Sequence, residues 1–113
     1  MKKVSIVVPV YNEEDNLREF HKRITEVMEK EPYDYKIVFV NDGSSDNSAV
    51  ILSELAKEDE HVEAYLLSRN YGHQMALTCG LDNAEGDVVI TMDGDMQHPP
   101  EIVPHLLRLW EEG

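Results

Sequence analysis

Val4–Val10 reads VSIVVPV, a nearly continuous run of β-branched residues. A strand with one face in water alternates apolar and polar residues, and this one does not. It therefore reads as a strand buried on both faces, as in a parallel sheet. The next residues agree with that reading. Glu13, Glu14 and Asp15 suit the positive first turn of a helix, and Asn12 reads as its cap. Leu17, Phe20, Ile24, Val27 and Met28 recur at helical spacing, and Pro32 lies just past the expected end.

The alternation then repeats. Lys36–Val40 (KIVFV) predicts a second strand and Asn41–Asp46 a polar turn in which Ser45 or Asp46 caps the next helix. Ile51, Leu52, Leu55 and Ala56 form that helix's apolar stripe. Val62–Leu67 predicts a third strand, 74–84 a helix ended by Gly86, and Asp87–Met92 a fourth strand. Pro99-Pro100 opens a last helix carrying Ile102, Val103, Leu106, Leu107 and Trp110. The order β-α-β-α-β-α-β-α predicts an α/β fold: a Rossmann-like, open, mainly parallel sheet with right-handed crossovers and helices on both faces.

Composition narrows the function. The 113 residues hold 10 Lys+Arg and 23 Asp+Glu, a net charge of −13, and 42% are hydrophobic. The length suits one domain with a real core. The acidity argues against nucleic acid as a partner, because phosphate is repelled. Cys79, the single cysteine, allows no internal disulfide and reads as a packing residue in an apolar helix. No run approaches the roughly 18 apolar residues of a membrane span, and acids cut short the apolar start. The expectation is a cytoplasmic piece. Its stop after a helix reads as part of something longer, with apolar surface left for self-association as a homo-oligomer.

In open α/β sheets, ligands sit beyond the carboxyl ends of the strands. Four polar clusters converge there: Pro9–Glu13, Asn41–Asp46, Ser68–His73 and Asp93–His98. There is no G-x-G-x-x-G in the first turn and no G-x-x-x-x-G-K-[ST], so a glycine loop does not bind phosphate here. Asp93-Gly94-Asp95 places two carboxylates on one short loop, a pattern that suits Mg²⁺ or Mn²⁺. His73 and His98 read as loop and cap residues, Trp110 as packing the last helix on the sheet or covering a joint, and Glu54, Glu58, Asp59 and Glu60 as a solvated helix end.

Four blocks, VSIVVPVYNEEDNL, VFVNDGSSDNS, LLSRNYGHQMALTCGLDNAEGD and VVITMDGDMQHPPE, together resemble the N-terminal, nucleotide-sugar-binding part of a family 2 glycosyltransferase with the GT-A fold. The last two look most like the polyprenyl-phosphate branch, which includes dolichol-phosphate mannosyl and undecaprenyl-phosphate glucosyl transferases. The resemblance spans most of residues 1–113 and implies a role for each matching residue. Pro9, Tyr11 and Glu13 would line the nucleoside pocket, and Asp42 would contact the base or ribose. Arg69 would lie near the phosphates or donor sugar. Asp93 and Asp95 would be the D-x-D pair, with Asp95, Gln97 and Asp93 holding Mg²⁺ or Mn²⁺. The implied reaction is inverting transfer from a UDP- or GDP-sugar to a lipid phosphate at the cytoplasmic face of a membrane. The general base, the acceptor segments and any membrane helices would lie later in the chain, so this part alone would bind without turnover. A haloacid dehalogenase-type phosphohydrolase also uses D-x-D, but after its first strand; here it comes after the fourth.

Overall fold

A computed structural model describes residues 2–93 and 99–112. Its elements are β1 (Lys3–Val10), α1 (Leu17–Glu29), β2 (Asp34–Asn41), α2 (Ser48–Glu58), β3 (Val62–Leu66), α3 (His73–Asn83), β4 (Val88–Thr91), a 3-10 turn (Pro100–Ile102) and α4 (Val103–Glu112). The strands form one sheet in the order β3-β2-β1-β4, and every pairing is parallel. The expected alternation is therefore present, and strand polarity is uniform.

Residues alternate between the two faces of the sheet. Val4, Ile6, Val8 and Val10 of β1 join Tyr35, Ile37 and Phe39 of β2 in one core, closed by Leu17, Phe20, Ile24 and Met28 of α1, Leu52 and Leu55 of α2, and Val103 and Leu107 of α4. Phe20 meets Phe39 edge-on, with centroids 6.1 Å apart. The opposite face of β1 and β2 carries α3. A Cβ on Gly80 would lie 2.4 Å from a Val7 methyl, so glycine is what lets α3 seat against Val7 and Val40. Covered on both faces, β1 needs no polar alternation.

β2 begins at Asp34, two residues before the expected Lys36, and runs to Asn41. Tyr35 points into the core opposite Val4, and the parallel ladder carries the strand outward to meet it. Asn12 does not cap α1: it stands at φ +53, and Asn16 occupies the cap position. Asp46 does act at the start of α2, where its Oδ1 accepts the Ser48 N–H at 2.9 Å. Trp110 packs against the core margin beside Tyr33, with the Lys2 ammonium 5.2 Å from its ring. Cys79 is half-buried and lines a groove with Leu66, Tyr71 and Met75 instead of packing into the core.

Glu54, Glu58 and Glu60 are exposed as expected, but Asp59 departs from the reading of a solvated helix end. Its Oδ2 accepts from His21 Nε2 at 2.8 Å, and its Oδ1 accepts from the ring and the backbone N–H of His61, each at 2.9 Å. The His61 ring in turn stacks on Tyr35 at 4.1 Å. Spacing could not reveal this cluster, because its members come from α1, the end of α2 and β3's approach. Burial pushes the Asp59 carboxyl up, but the His61 N–H and the two imidazoles outweigh it and hold the group below its usual 3.8. A carboxyl held low in the folded state stabilises the fold above its unfolded pKa and loses that contribution as pH falls through the folded value. Asp59→Asn is therefore expected to cost about 1–3 kcal/mol near neutral pH. Urea denaturation should show the gap to wild type closing as pH falls below the ordinary carboxylate range. A gap that widens on acidification contradicts this account.

Candidate functional site

The buried polar or charged residues among those described are Ser5, Asn41, Asp42 and Ser48, and three of the four stand where β2 hands over to α2. Buried polar groups need partners, and here the partners come from the neighbouring strand-end loops. Asn12 donates its backbone N–H to Ser44 Oγ at 2.9 Å and accepts the Ser45 N–H at 2.8 Å. The Glu13 N–H reaches Ser48 Oγ at 3.0 Å, and the Glu14 N–H reaches Asp46 Oδ2 at 3.2 Å. Burial pushes the Asp46 carboxyl up, but donation from Ser48 and Glu14 outweighs it, so the group titrates below its ordinary range. The β1–α1 and β2–α2 loops are thus one laced unit.

Asp42 extends this unit to the third loop. Its backbone N–H bonds the Val10 carbonyl at 2.8 Å, continuing the β1–β2 ladder past the last strand pair. Its carboxylate accepts the N–H of Tyr71 at 2.8 Å on Oδ1 and that of Gly72 at 3.1 Å on Oδ2. Gly43 comes next at φ +63, and a Cβ there would stand 2.1 Å from the Arg69 carbonyl carbon and 2.2 Å from the Asn70 nitrogen. Only glycine permits both the left-handed turn and so close a pass of two backbones.

Between these loops lies a cavity of about 220 Å³ lined by Pro9, Val10, Tyr11, Asp42, Asn70, Gly72 and Ala76. It is smaller than the roughly 300–1,000 Å³ of a full small-molecule pocket, and suits one ring-sized group. Three residues expected at the nucleoside, Pro9, Tyr11 and Asp42, come together here. Glu13 does not line it: its carboxylate accepts from Asn16 Nδ2 at 2.9 Å. Arg69 stands at the adjoining loop, its guanidinium 4.9 Å from the centre of the Tyr71 ring. Sequence reasoning misses Asn70, Gly72 and Ala76 as cavity residues. Asn70-x-Gly72 is visible only as part of a polar stretch, and Ala76 carries no chemistry. A hollow of similar volume lined by Lys3, Lys36, Glu63 and Asp82 lies at the other end of the strands, with mixed charge and none of these loops.

Asp93 is half-buried, one residue past Met92, whose N–H bonds the Val7 carbonyl at 2.9 Å. It therefore leaves β4 at the same edge of the sheet. Asp95, Gln97, Gly94 and His98 lie outside the described residues. Among the described residues no group of three His, Cys, Asp or Glu side chains could hold a metal. The chemistry of the expected set still fits a hard divalent cation, since Asp93, Asp95 and Gln97 all offer oxygen.

An all-parallel sheet with a laced crevice at its carboxyl edge defines an open α/β domain whose candidate site lies where such sheets bind ligands. The sequence pattern described as Glycosyl transferase family 2 matches residues 5–113, and the chain belongs to that family. It is 47% identical over 114 residues to the undecaprenyl-phosphate 4-deoxy-4-formamido-L-arabinose transferase of Proteus mirabilis, covering 100% of this chain and 35% of that protein. It is 46% identical over 111 residues to the bactoprenol glucosyl transferase of Shigella phage SfV, covering 98% of this chain and 36% of that one. The fold matches that of the mannosyltransferase PcManGT from Pyrobaculum calidifontis, solved with GDP-Man and Mn²⁺, at a TM-score of 0.80 and 22% identity, over 99% of this chain and 33% of that one. It also matches S. aureus TarS 1–349 with UDP-GlcNAc at 0.73 and 22%, over 97% and 31%. The architecture is thus of the GT-A type. The chain spans about a third of the length of these relatives. Among the described residues no helix is long and apolar enough to cross a membrane.

Two glycines separate backbone strain from close approach. Gly72 stands at φ +99 with nothing within 4 Å of a would-be Cβ, whereas Gly43 has both a positive φ and the backbone of residues 69–70 against it. Gly43→Ala is expected to cost about 2–5 kcal/mol and Gly72→Ala about 1–3 kcal/mol. Denaturant unfolding of both variants checks the order, and equal costs would contradict the close packing of the two loops.

Proposed function

We propose that this chain is the donor-binding part of a glycosyltransferase that moves a sugar from a UDP- or GDP-sugar to a polyprenyl phosphate. The observation that carries the reading is the convergence of Pro9, Tyr11 and Asp42 on one base-sized cavity at the carboxyl edge of the sheet. The acceptor class is supported by relatives at 46–47% identity whose names specify undecaprenyl phosphate and bactoprenol. We place the whole protein at the cytoplasmic face of a membrane, where a lipid phosphate would meet a soluble nucleotide donor.

In this reading Tyr11 and Pro9 flank the base, Asp42 lies against the base or ribose, and Arg69 faces the phosphates. Glu13 acts by complementing the start of α1 more than by touching the donor, since its side chain is engaged by Asn16. Asp93, Asp95 and Gln97 would hold Mg²⁺ or Mn²⁺, which when bound offsets the charge on the departing diphosphate as a Lewis acid. The acceptor's phosphate oxygen forms the new bond to the anomeric carbon while the bond to the diphosphate breaks on the opposite face. An anionic acceptor needs no proton removed before it attacks. The chain spans about a third of the length of its relatives, so binding is the assay that suits it.

The cation requirement comes from charge. Asp42, Asp93, Asp95 and a diphosphate repel one another, and Arg69 is the cation that the strand-end clusters supply. Metal and nucleotide should therefore tighten each other reciprocally. Asp95→Asn is expected to weaken Mn²⁺-dependent binding of UDP or GDP at least tenfold, about 1.4 kcal/mol. Calorimetry of both proteins with Mn²⁺ and with chelator tests this. Equal wild-type affinity in the two conditions would sink the metal-bridge reading and leave Asp-Gly-Asp as a turn.

A further inference from the structure

Asp42 is buried, with only 4% of its surface exposed, yet it is a carboxylate in an acidic protein. A buried charge persists where donors are fixed around it. Its donors are two consecutive backbone amides, Tyr71 and Gly72, from a loop 29 and 30 residues further along the chain. Gly72 is the cap position of α3, so the carboxylate also meets the positive end of that helix. The other end of the loop is tied to the same strand: the Leu67 N–H bonds the Asn41 carbonyl at 2.9 Å. Residues 67–72 are thus held at both ends by the consecutive residues Asn41 and Asp42, with Arg69 between the anchors and its own backbone pressed on Gly43.

We propose that Asp42 is a positioning residue of the donor site: through the N–H groups of Tyr71 and Gly72 it fixes the β3–α3 loop, and through that loop it sets where Arg69 stands. The assignment of Arg69 to the donor rests on the function proposed above; the clamp itself does not. A carboxylate is required because it only accepts hydrogen bonds. Asparagine would offer one oxygen and turn an NH₂ toward the second N–H, and alanine would offer no acceptor to either. Asn70 Oδ1 also accepts the Gly72 N–H, at 2.8 Å, so Tyr71 is the amide for which Asp42 is the side-chain acceptor and the more sensitive reporter.

Amide hydrogen exchange read by NMR in the nucleotide-free protein tests the clamp. In wild type the Tyr71 and Gly72 amides should be protected. In Asp42→Ala, which offers no acceptor, the Tyr71 amide should exchange at least about tenfold faster, while β1 and β2 amides keep their rates and show the variant folded. Unprotected amides in wild type, which requires no variant, or an unchanged Tyr71 rate in a folded Asp42→Ala, overturns the clamp. A double-mutant cycle on Mn²⁺-UDP and Mn²⁺-GDP affinity tests its action through Arg69. Arg69→Ala should weaken binding at least about fivefold in wild type and less than about twofold in Asp42→Ala. The same factor in both backgrounds, or no effect of Arg69→Ala in wild type, means that Asp42 does not act through Arg69. If wild type binds neither nucleotide, the donor-site reading fails, and the exchange rates still decide the clamp.

Discussion

Val10 of β1 stands beside Asn41 of β2, and the Asp42 N–H adds one more rung to that ladder. The candidate site is measured from this parallel register. Because all four strands run the same way, each strand delivers its loop to one edge of the sheet. Because β1 is paired on both sides, its end is the fixed point from which the others are set. A slip of one residue would turn Val4, Ile6 and Val8 away from the core. It would also carry Asp42 to the wrong side of the β3–α3 loop. The hydrophobic cost of misplacing the core is thus what holds the polar edge in place.

At that edge the loops are tied by hydrogen bonds, not by apolar contact. Ser44, Ser45, Asp46 and Ser48 answer the backbone amides and the Asn12 side chain of the β1–α1 loop, and Asp42 answers the amides ahead of α3. Each such bond contributes about 1 kcal/mol net, and leaving its donor buried and unpaired costs about 1–3 kcal/mol. The consequence is preorganisation: three loops from distant parts of the chain form a cavity before a ligand arrives.

The opposite end of the fold is held differently. Asp59 gathers His21 and His61, and His61 lies flat on Tyr35. The surface carries ion pairs between elements, Arg18 with Glu54, Arg23 with Glu101 and Arg108 with Glu31. The first two are exposed pairs, which contribute little each; in the third the Glu31 side chain is only 10% exposed. The Asp59 cluster is less exposed and joins three elements, so it orients α1 against the end of α2.

The order of strands and helices, the two-sided burial of β1 and the convergence of polar loops were legible in the sequence by itself, because apolar period and turn chemistry are local properties. The four blocks that match the family were legible too, and with them Pro9, Tyr11 and Asp42 at the cavity. Tertiary structure alone decided what is set by distance through space. Asn12 looked like a helix cap, but the β2–α2 loop claims its side chain, which leaves it at positive φ outside α1. Asp59 looked like a solvated helix end, but two histidines from other elements enclose it. Asn70 lines the cavity where its loop passes against Gly43, and Ala76 where α3 seats on Val7 at Gly80, fits between surfaces that no spacing along one of them expresses. Asp42 was legible as a cavity residue, but the pairing of its two oxygens with the backbone amides of Tyr71 and Gly72 was not. Backbone N–H groups are present at every residue but proline, so a sequence cannot say which of them a carboxylate will meet.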